Sequence, residues 1–163
     1  MKINSTLTNR AGDILNVVYT DIEYTEELTG SEIKGVHAYC FYDGKIIIVY
    51  NAEKNSWSLP GGGAETGESF MEATVREIKE ETNMRVVSMK LLGCQEIDEY
   101  GKTIRQTRSV CIVEPYGDFE SDPDGDISEI KFIDPKDLKS YVDWGEVGNH
   151  LLARALEFQK LSY

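Results

Sequence analysis

The sequence has little positive charge: its 163 residues include 17 Lys and Arg against 29 Asp and Glu, giving a formal net charge of −12. Nonspecific nucleic-acid binding and docking on anionic membranes both need a basic surface, so we expect neither partner. Long apolar runs are also missing, because the longest covers only residues 46–50, whereas a membrane-spanning helix needs about 20 residues. The N-terminal residues contain no apolar signal region. A small anionic substrate remains compatible with this charge if metal ions bridge it to the protein.

Cysteine and histidine are scarce, with three Cys and two His. The spacing of Cys40, Cys94 and Cys111 fits no metal motif, and an odd number cannot form a complete disulfide framework. We therefore expect buried free thiols on strands, in a protein of the reducing cytoplasm. His37 falls on a predicted strand and His150 on the last predicted helix, and we interpret each as a packed or surface residue rather than a catalytic base.

The length favours one domain with a single core, and 40% hydrophobic with 28% charged residues is typical of globular proteins. We divide the chain into an N-terminal extension, residues 1–34, and a main domain, residues 35–163. Within the extension, residues 14–19 predict an extra strand and residues 20–31 a polar loop. The sequence does not decide whether the extension adds an edge strand, supports a dimer or covers the sheet.

The main domain alternates strands with a few helices. Residues 35–41 and 45–50 predict a hairpin closed by the Asp43-Gly44 turn, with the second strand buried on both faces. Residues 85–100, 103–114 and 129–133 predict further strands. Asp134 and Pro135 begin a short helix through residue 141, and an amphipathic helix is expected over residues 146–161. This order favours helices on two sides of a mixed sheet.

Residues 59–84 join a glycine-rich turn to an acidic helix. Ser69 is a good N-cap, and Glu72 three residues later completes a capping box. Helical spacing then predicts two faces. One carries Met71, Val75, Ile78 and Thr82, and the other carries Ala73, Glu77, Glu80 and Glu81.

The three glutamates of this helix repel one another, because Glu77, Glu80 and Glu81 are spaced i, i+3, i+4. A hard divalent cation such as Mg²⁺ would turn that repulsion into binding, since it prefers several carboxylate oxygens. The glycines of residues 60–63 lie just upstream, where bare backbone groups can reach a metal or a phosphate. The alternative interpretation is a solvated acidic helix face.

The pattern G-x5-E-x7-R-E-U-x-E-E-x-G-U, in which U is a bulky aliphatic residue, resembles the signature of the Nudix hydrolases. The late glycine of the pattern is replaced by Asn83, the usual second choice for a left-handed helix C-cap, so the backbone geometry should be preserved. The resemblance implies a fold of the α+β class, a Nudix-type α/β/α sandwich around a mixed β-sheet. The matching positions are Gly62, Glu68, Arg76, Glu77, Ile78, Glu80, Glu81 and Met84.

The resemblance also implies an activity. The chain would be a Mg²⁺-dependent pyrophosphohydrolase, with Mn²⁺ as a substitute, that uses water to cleave the diphosphate linkage of a nucleoside diphosphate joined to another moiety. Nucleoside triphosphates, dinucleoside polyphosphates and ADP-ribose-like compounds are the candidate substrates. The alternative is a catalytically silent Nudix module that binds nucleotides or regulates a partner. Homodimer formation is left open.

Site roles follow from the same resemblance. Glu77, Glu80 and Glu81 would hold the metal, with the Gly61 carbonyl as a further ligand, and Arg76 would orient Glu77. The segment of residues 122–126 looks like a calcium loop, but its glycine comes too early for an EF-hand. Outer-shell or substrate roles are assigned to Glu65, Glu68, Gly62, Asp126, Glu129 and Tyr100, with Glu96, Glu99 and Glu120 as rivals for the later acidic position.

Overall fold

Nine strands form one mixed sheet in the computed structural model, which describes residues 1–28 and 32–162. The strands are β1 (Lys2–Thr8), β2 (Ile14–Asp21), β3 (Gly35–Tyr42), β4 (Lys45–Asn51), β5 (Ser56–Ser58), β6 (Gly61–Gly63), β7 (Met84–Glu99), β8 (Lys102–Pro115) and β9 (Ile127–Ile133). The helices are α1 (Phe70–Thr82) and α2 (Gly145–Leu161), with 3-10 turns at Thr25–Leu28 and Pro135–Ser140. The strand order is β1-β2-β7-β8-β3-β4-β5, with β6 added beside β3 and β9 beside β4. The β3–β8 pair is parallel and the other pairs are antiparallel.

The two α-helices cover opposite faces of this sheet. Ile78 of α1 packs with Cys40 and Cys111, whereas Leu151 of α2 packs with Tyr39. Successive residues of a strand point to opposite faces, so the alternation of β3 between the two clusters defines two separate core layers. The predicted α/β/α sandwich is therefore confirmed.

The β3–β4 hairpin forms as predicted. Asp43 and Gly44 have φ values of 50° and 74°, the pair of positive values that a tight type I′ turn requires. On the returning strand, Ile46 and Ile47 are 0% exposed, which confirms burial on both faces. Truncating a side chain buried in this way to alanine costs about 2–5 kcal/mol.

Helix α1 begins and ends where the sequence predicts. The Ser69 side chain accepts from the Glu72 amide, the Glu72 carboxylate reaches back to the Ser69 amide, and Asn83 adopts the left-handed C-cap conformation with φ 55°. On the first of the two predicted faces, Met71 and Val75 are 50% and 42% exposed, whereas Ile78 and Thr82 are buried. The helix instead turns its acidic side inward, and the buried residues are Ala73, Thr74, Glu77, Ile78, Glu81 and Thr82.

The N-terminal extension adds two strands to the sheet. The predicted strand at residues 14–19 is confirmed as β2, which pairs with β7, while β1 was not predicted and pairs with β2 along its whole length. The predicted loop of residues 20–31 contains the end of β2 and a 3-10 turn, and its residues 29–31 lie outside the described ranges.

The later elements match the prediction within a few residues, with one change of type. The short helix after Asp134 is a 3-10 turn, and Asp134 caps it by accepting from the Lys136 amide. Cys40, Cys94 and Cys111 are buried free thiols, as expected. None of the helices in the described ranges has the length and apolarity needed to cross a bilayer.

Candidate active site

The glycine strand β6 lies directly against the acidic side of α1. The Gly61 amide donates to Glu81 Oε1 at 2.8 Å. A Cβ on Gly62 would stand 2.6 Å from the Glu77 carboxyl group, and one on Gly61 would stand 2.1 Å from the Val36 carbonyl oxygen. Only glycine allows this approach, so Gly61 and Gly62 of β6 are required by close contact and not by a left-handed backbone conformation.

Arg76 connects the carboxylates around the start of α1. Its Nε and Nη2 donate to the two oxygens of Glu68 at 2.8 and 2.9 Å, the paired geometry that gives the strongest arginine–carboxylate contacts. Its Nη1 donates to Glu77 at 3.0 Å and to Glu80 at 3.3 Å, and Nη2 also donates to the Gly63 carbonyl at 2.9 Å. The hydrogen bonds from Arg76 hold the pKa of Glu68 at about 2. Arg76 therefore links the helix to the glycine strand and contacts Glu77.

The inward carboxylates carry more negative charge than Arg76 can balance. Burial raises the pKa of Glu81 to about 8 against the opposing hydrogen bond from Gly61, and the charges of Glu77, Asp122 and Asp126 raise it further. Burial also raises the pKa of Glu77 and of Glu80. A cation bound here would relieve both the desolvation and the mutual repulsion.

The predicted site residues fall into two groups in space. The first group contains Gly61, Gly62, Glu68 and Arg76 with the glutamates that it contacts. Glu65 lies at the margin of this group, where a carboxylate oxygen is 3.8 Å from Arg76 Nε. Asp126 is close enough to affect Glu81, whereas Glu129 is exposed on β9 opposite Tyr50. Tyr100 lies at the β7–β8 turn, 69% exposed, and hydrogen-bonds to Asn9 and Asp13. Its contacts are with the N-terminal hairpin rather than with α1.

Asp122 belongs to the calcium-like segment of residues 122–126, received no site role of its own from the sequence, and is only 7% exposed. Its carboxylate accepts from the Asp124 amide at 3.0 Å and from the Ile127 amide at 3.0 Å, so it folds its own loop. Its charge also raises the pKa of Glu80 and Glu81. The D-x-D-G spacing, which is typical of aspartate-capped turns, was the available signal.

The donor set suits a hard divalent cation, because Glu77, Glu80 and Glu81 offer only carboxylate oxygens. Within residues 1–28 and 32–162, no three Asp, Glu, His or Cys side chains are already grouped as a metal site. The three glutamates have other partners instead. Glu77 and Glu80 both accept from Arg76 Nη1, and Glu81 accepts from the Gly61 amide. These three glutamates would supply the ligands of such an ion.

Two cavities with shared lining residues lie near this cluster, and the first of them contacts it. The first, of ≈ 490 Å³, is lined by Glu81, the glycine strand and Lys54. The second, of ≈ 710 Å³, contains Arg108, and the two share His37 and Trp144. Burial lowers the pKa of His37 to about 3, with further lowering by Arg108 and Lys54, so His37 is uncharged at neutral pH. This agrees with the interpretation of His37 as a packed residue.

The fold and the site together define a class of domain. It is an α/β/α sandwich in which a glycine strand lies beside an acidic helix whose Glu77 and Glu80 contact one arginine. A profile of the NUDIX domain matches residues 33–154. The chain belongs to the Nudix hydrolase family, as the sequence signature predicted.

Individual relatives agree with this assignment. The chain is 29% identical over 107 residues to the RNA pyrophosphohydrolase of Xanthomonas axonopodis pv. citri, covering 63% of this chain and 52% of that protein. It is 46% identical over 54 residues to the ADP-ribose pyrophosphatase of Methanocaldococcus jannaschii, covering 31% of this chain and 32% of that protein. The chain thus spans about a quarter to a half of the length of the curated relatives that it matches.

Solved structures confirm the fold. The crystal structure of the Bacillus subtilis pyrophosphohydrolase BsRppH superimposes with a TM-score of 0.71 at 21% identity. The match covers 94% of this chain and 96% of that one. At this identity the likeness concerns the fold alone.

Proposed function

We propose that this chain is a divalent-metal-dependent pyrophosphohydrolase that cleaves the diphosphate linkage of a nucleoside diphosphate joined to another moiety. The observation that carries the proposal is the burial of Glu77 and Glu81 against the glycine strand, where Glu81 is 7% exposed beside uncompensated like charges. Burying carboxylates in this way is costly unless a cation binds them. A solvated acidic helix would keep its glutamates in water, so the alternative interpretation does not account for this packing.

The residues of the site have distinct tasks in this proposal. Glu77, Glu80 and Glu81 would hold Mg²⁺, with Mn²⁺ as a substitute, and the ion would supply neutralisation of phosphate charge and activation of a water. Arg76 keeps Glu77 oriented and holds the helix start in place through Glu68. Because Gly61 and Gly62 have no side chains, the Val36 carbonyl and the Glu77 carboxyl group can pack against the glycine strand, which helps to position the carboxylates. Most of the rate enhancement would come from positioning and electrostatics.

Some coarser features belong to the same proposal. We propose that residues 1–34 form an extension and residues 35–163 the catalytic domain, which is supported by the start of the family match at residue 33. The three reduced, buried cysteines support a cytoplasmic protein. Homodimer formation stays a prediction for a measurement of mass in solution.

The experiment is a hydrolysis screen of the purified chain with Mg²⁺, in which the nucleotide products are separated by chromatography and quantified. The panel contains nucleoside triphosphates including oxidised dGTP, ADP-ribose, diadenosine polyphosphates, NADH and nucleotide sugars. The matched control is Glu81→Gln, which keeps the size of the side chain and removes its charge. We expect one substrate class to be hydrolysed well above the rest and to be silent in the variant.

Silence of the wild type across the panel would contradict the proposal. If nucleotides still raised the melting temperature by binding, the catalytically silent module would become the better description. Equal turnover by the wild type and Glu81→Gln would contradict the assignment of the site instead.

A further inference from the structure

Arg108 on β8 is a buried cation without a carboxylate partner in the described part of the chain. It is 3% exposed, and burial lowers its pKa to about 10, so it remains charged at neutral pH. Its Nη1 donates to the Thr107 carbonyl at 3.1 Å, and its Nη2 donates to Gln106 Oε1 at 3.0 Å. Its Nε is buried and has no hydrogen-bond partner among the described residues. A buried, unpaired charge is costly, and an acceptor brought by a ligand would offset that cost.

The surroundings of Arg108 are aromatic. Its guanidinium carbon lies 4.9 Å from the centre of the Trp144 ring, within cation–π range. The His37 ring packs edge-on against Trp144 with 5.7 Å between ring centres, and His37 Nδ1 lies 3.5 Å from Arg108 Nη1. All three residues line the ≈ 710 Å³ cavity. A rigid donor group beside aromatic rings suits a flat ligand with acceptors along one edge.

The distance from the acidic helix also constrains the ligand. Gly61, His37 and Arg108 lie in one row across β6, β3 and β8. Neighbouring strands are about 4.8 Å apart, so the backbone of Arg108 lies roughly 10 Å from that of Gly61. Gly61 binds Glu81, and the two cavities share His37 and Trp144. A ligand whose diphosphate lies at Glu81 can therefore extend its other end to Arg108.

The two cavities differ in the charged residues that line them. The cavity at Glu81 contains Lys34 and Lys54, the cations suited to further phosphates. The cavity at Arg108 contains the carboxylates of Glu99 and Asp143, which would repel a phosphate there. The Arg108 end is therefore better matched to the uncharged base of a nucleotide.

We propose that Arg108 and Trp144 select the base of the substrate and that this base is a 6-oxopurine such as guanine. The O6 and N7 atoms of guanine form an acceptor pair that arginine binds with two parallel hydrogen bonds. Adenine presents an amino donor on the same edge and would face the guanidinium with like polarity. The inference rests on the proposed function, because that function places the diphosphate at the acidic helix.

The test compares GTP, ITP, 7-deaza-GTP and ATP in two ways. Hydrolysis with Mg²⁺ gives kcat/KM for the wild type, Arg108→Lys and Arg108→Gln. Equilibrium dissociation constants are measured in the Glu81→Gln background, where turnover does not interfere. The control is Arg105→Gln, which removes an arginine of the same strand that lies 3.7 Å from Glu96.

We expect GTP and ITP to be favoured over ATP by about ten- to a hundredfold, with 7-deaza-GTP in between because it lacks N7. The two Arg108 variants should reduce this ratio to near one while ATP changes little, and Arg105→Gln should keep it. ATP serves as the internal check that the variants are folded.

A GTP-to-ATP ratio near one in the wild type would overturn the inference. An equal loss for all four nucleotides on changing Arg108 would also overturn it, since that result would assign Arg108 to phosphate binding or to folding. Absence of hydrolysis in the wild type contradicts the proposed function instead, and the dissociation constants then still decide the selection of the base.

Discussion

Two carboxylate clusters, one at the half-buried Asp21 and one at the buried Glu81, have opposite charge balance. Asp21 accepts from Tyr19 Oη at 2.7 Å and from His150 Nε2 at 2.8 Å, and it pairs with Arg154 Nη1 at 2.9 Å. Burial alone would raise the pKa of Asp21, but these hydrogen bonds and the arginine lower it to about 2. At Glu81, burial and neighbouring carboxylates raise the pKa to about 8.

This difference in charge balance distinguishes Asp21, a carboxylate that stabilises the fold, from Glu81, a carboxylate that is available to bind a ligand. Asp21 lies between β2 and α2 with its oxygens fully used, so it joins the N-terminal strands to the last helix. Glu77 and Glu80 of α1 share the single guanidinium of Arg76. The free-energy cost of the repulsion among the α1 carboxylates is not offset within the described residues. Substitutions of carboxylate by amide should therefore affect opposite properties in the two clusters.

The largest effect is expected for Glu77→Gln. The substitution removes a charge from the proposed metal site but keeps the size of the side chain under Gly62, so the fold should persist. Turnover of the preferred substrate with Mg²⁺ should fall at least about a hundredfold, with little change in the melting temperature without metal. Steady-state kinetics and a thermal melt on the same sample measure both, and near-normal turnover would refute the assignment.

Asp21→Asn should show the opposite pattern. The amide cannot accept as strongly from His150 and Arg154, so we expect a loss of about 2–3 kcal/mol in the free energy of unfolding. The melting temperature should fall by several degrees, and kcat per folded molecule should stay unchanged. Denaturant unfolding together with kinetics tests this, and a loss of turnover at full stability would show that the two clusters are coupled.

The smallest expected effect concerns the stability of the protein at low pH. The folded-state pKa of Asp21, about 2, lies below its usual value of 3.8, so its contribution to stability is present above pH 4 and is lost as the pH falls towards 2. The loss is about 1–2 kcal/mol. Between pH 4.5 and about 2, the free energy of unfolding should change less with pH for Asp21→Asn than for the wild type. Glu77→Gln should show the same slope with pH as the wild type. The same slope in all three proteins would show that Asp21 does not titrate this way.

Local chemistry made part of this molecule predictable. Ser69, Glu72 and Asn83 set the ends of α1 through contacts within a few residues, and Asp43-Gly44 closes its hairpin for the same reason. Most residues of the signature come together because one helix and the nearby glycine strand carry them, while Glu68 and Met84 flank that helix. These features depend on short stretches of chain and hardly on the rest of the fold.

Other features depend on contacts between distant parts of the chain. Met71 and Val75 are apolar yet exposed, because the sheet offers α1 the glycine strand and so draws the glutamates inward. β1 is too polar to be recognised without its partner β2. Arg108 belongs to no motif, and its isolation becomes visible only when α2 brings Trp144 over it.

The parallel pairing of β3 and β8 also has a consequence for folding specificity. In the native register His37 lies opposite Arg108, and Thr107 and Ser109 point to the other face, towards α1. A slip by one residue would exchange the faces and drive the arginine into the apolar layer beneath α1. Such a mispaired intermediate would bury a charge among aliphatic side chains, so Arg108 itself selects against the wrong alignment.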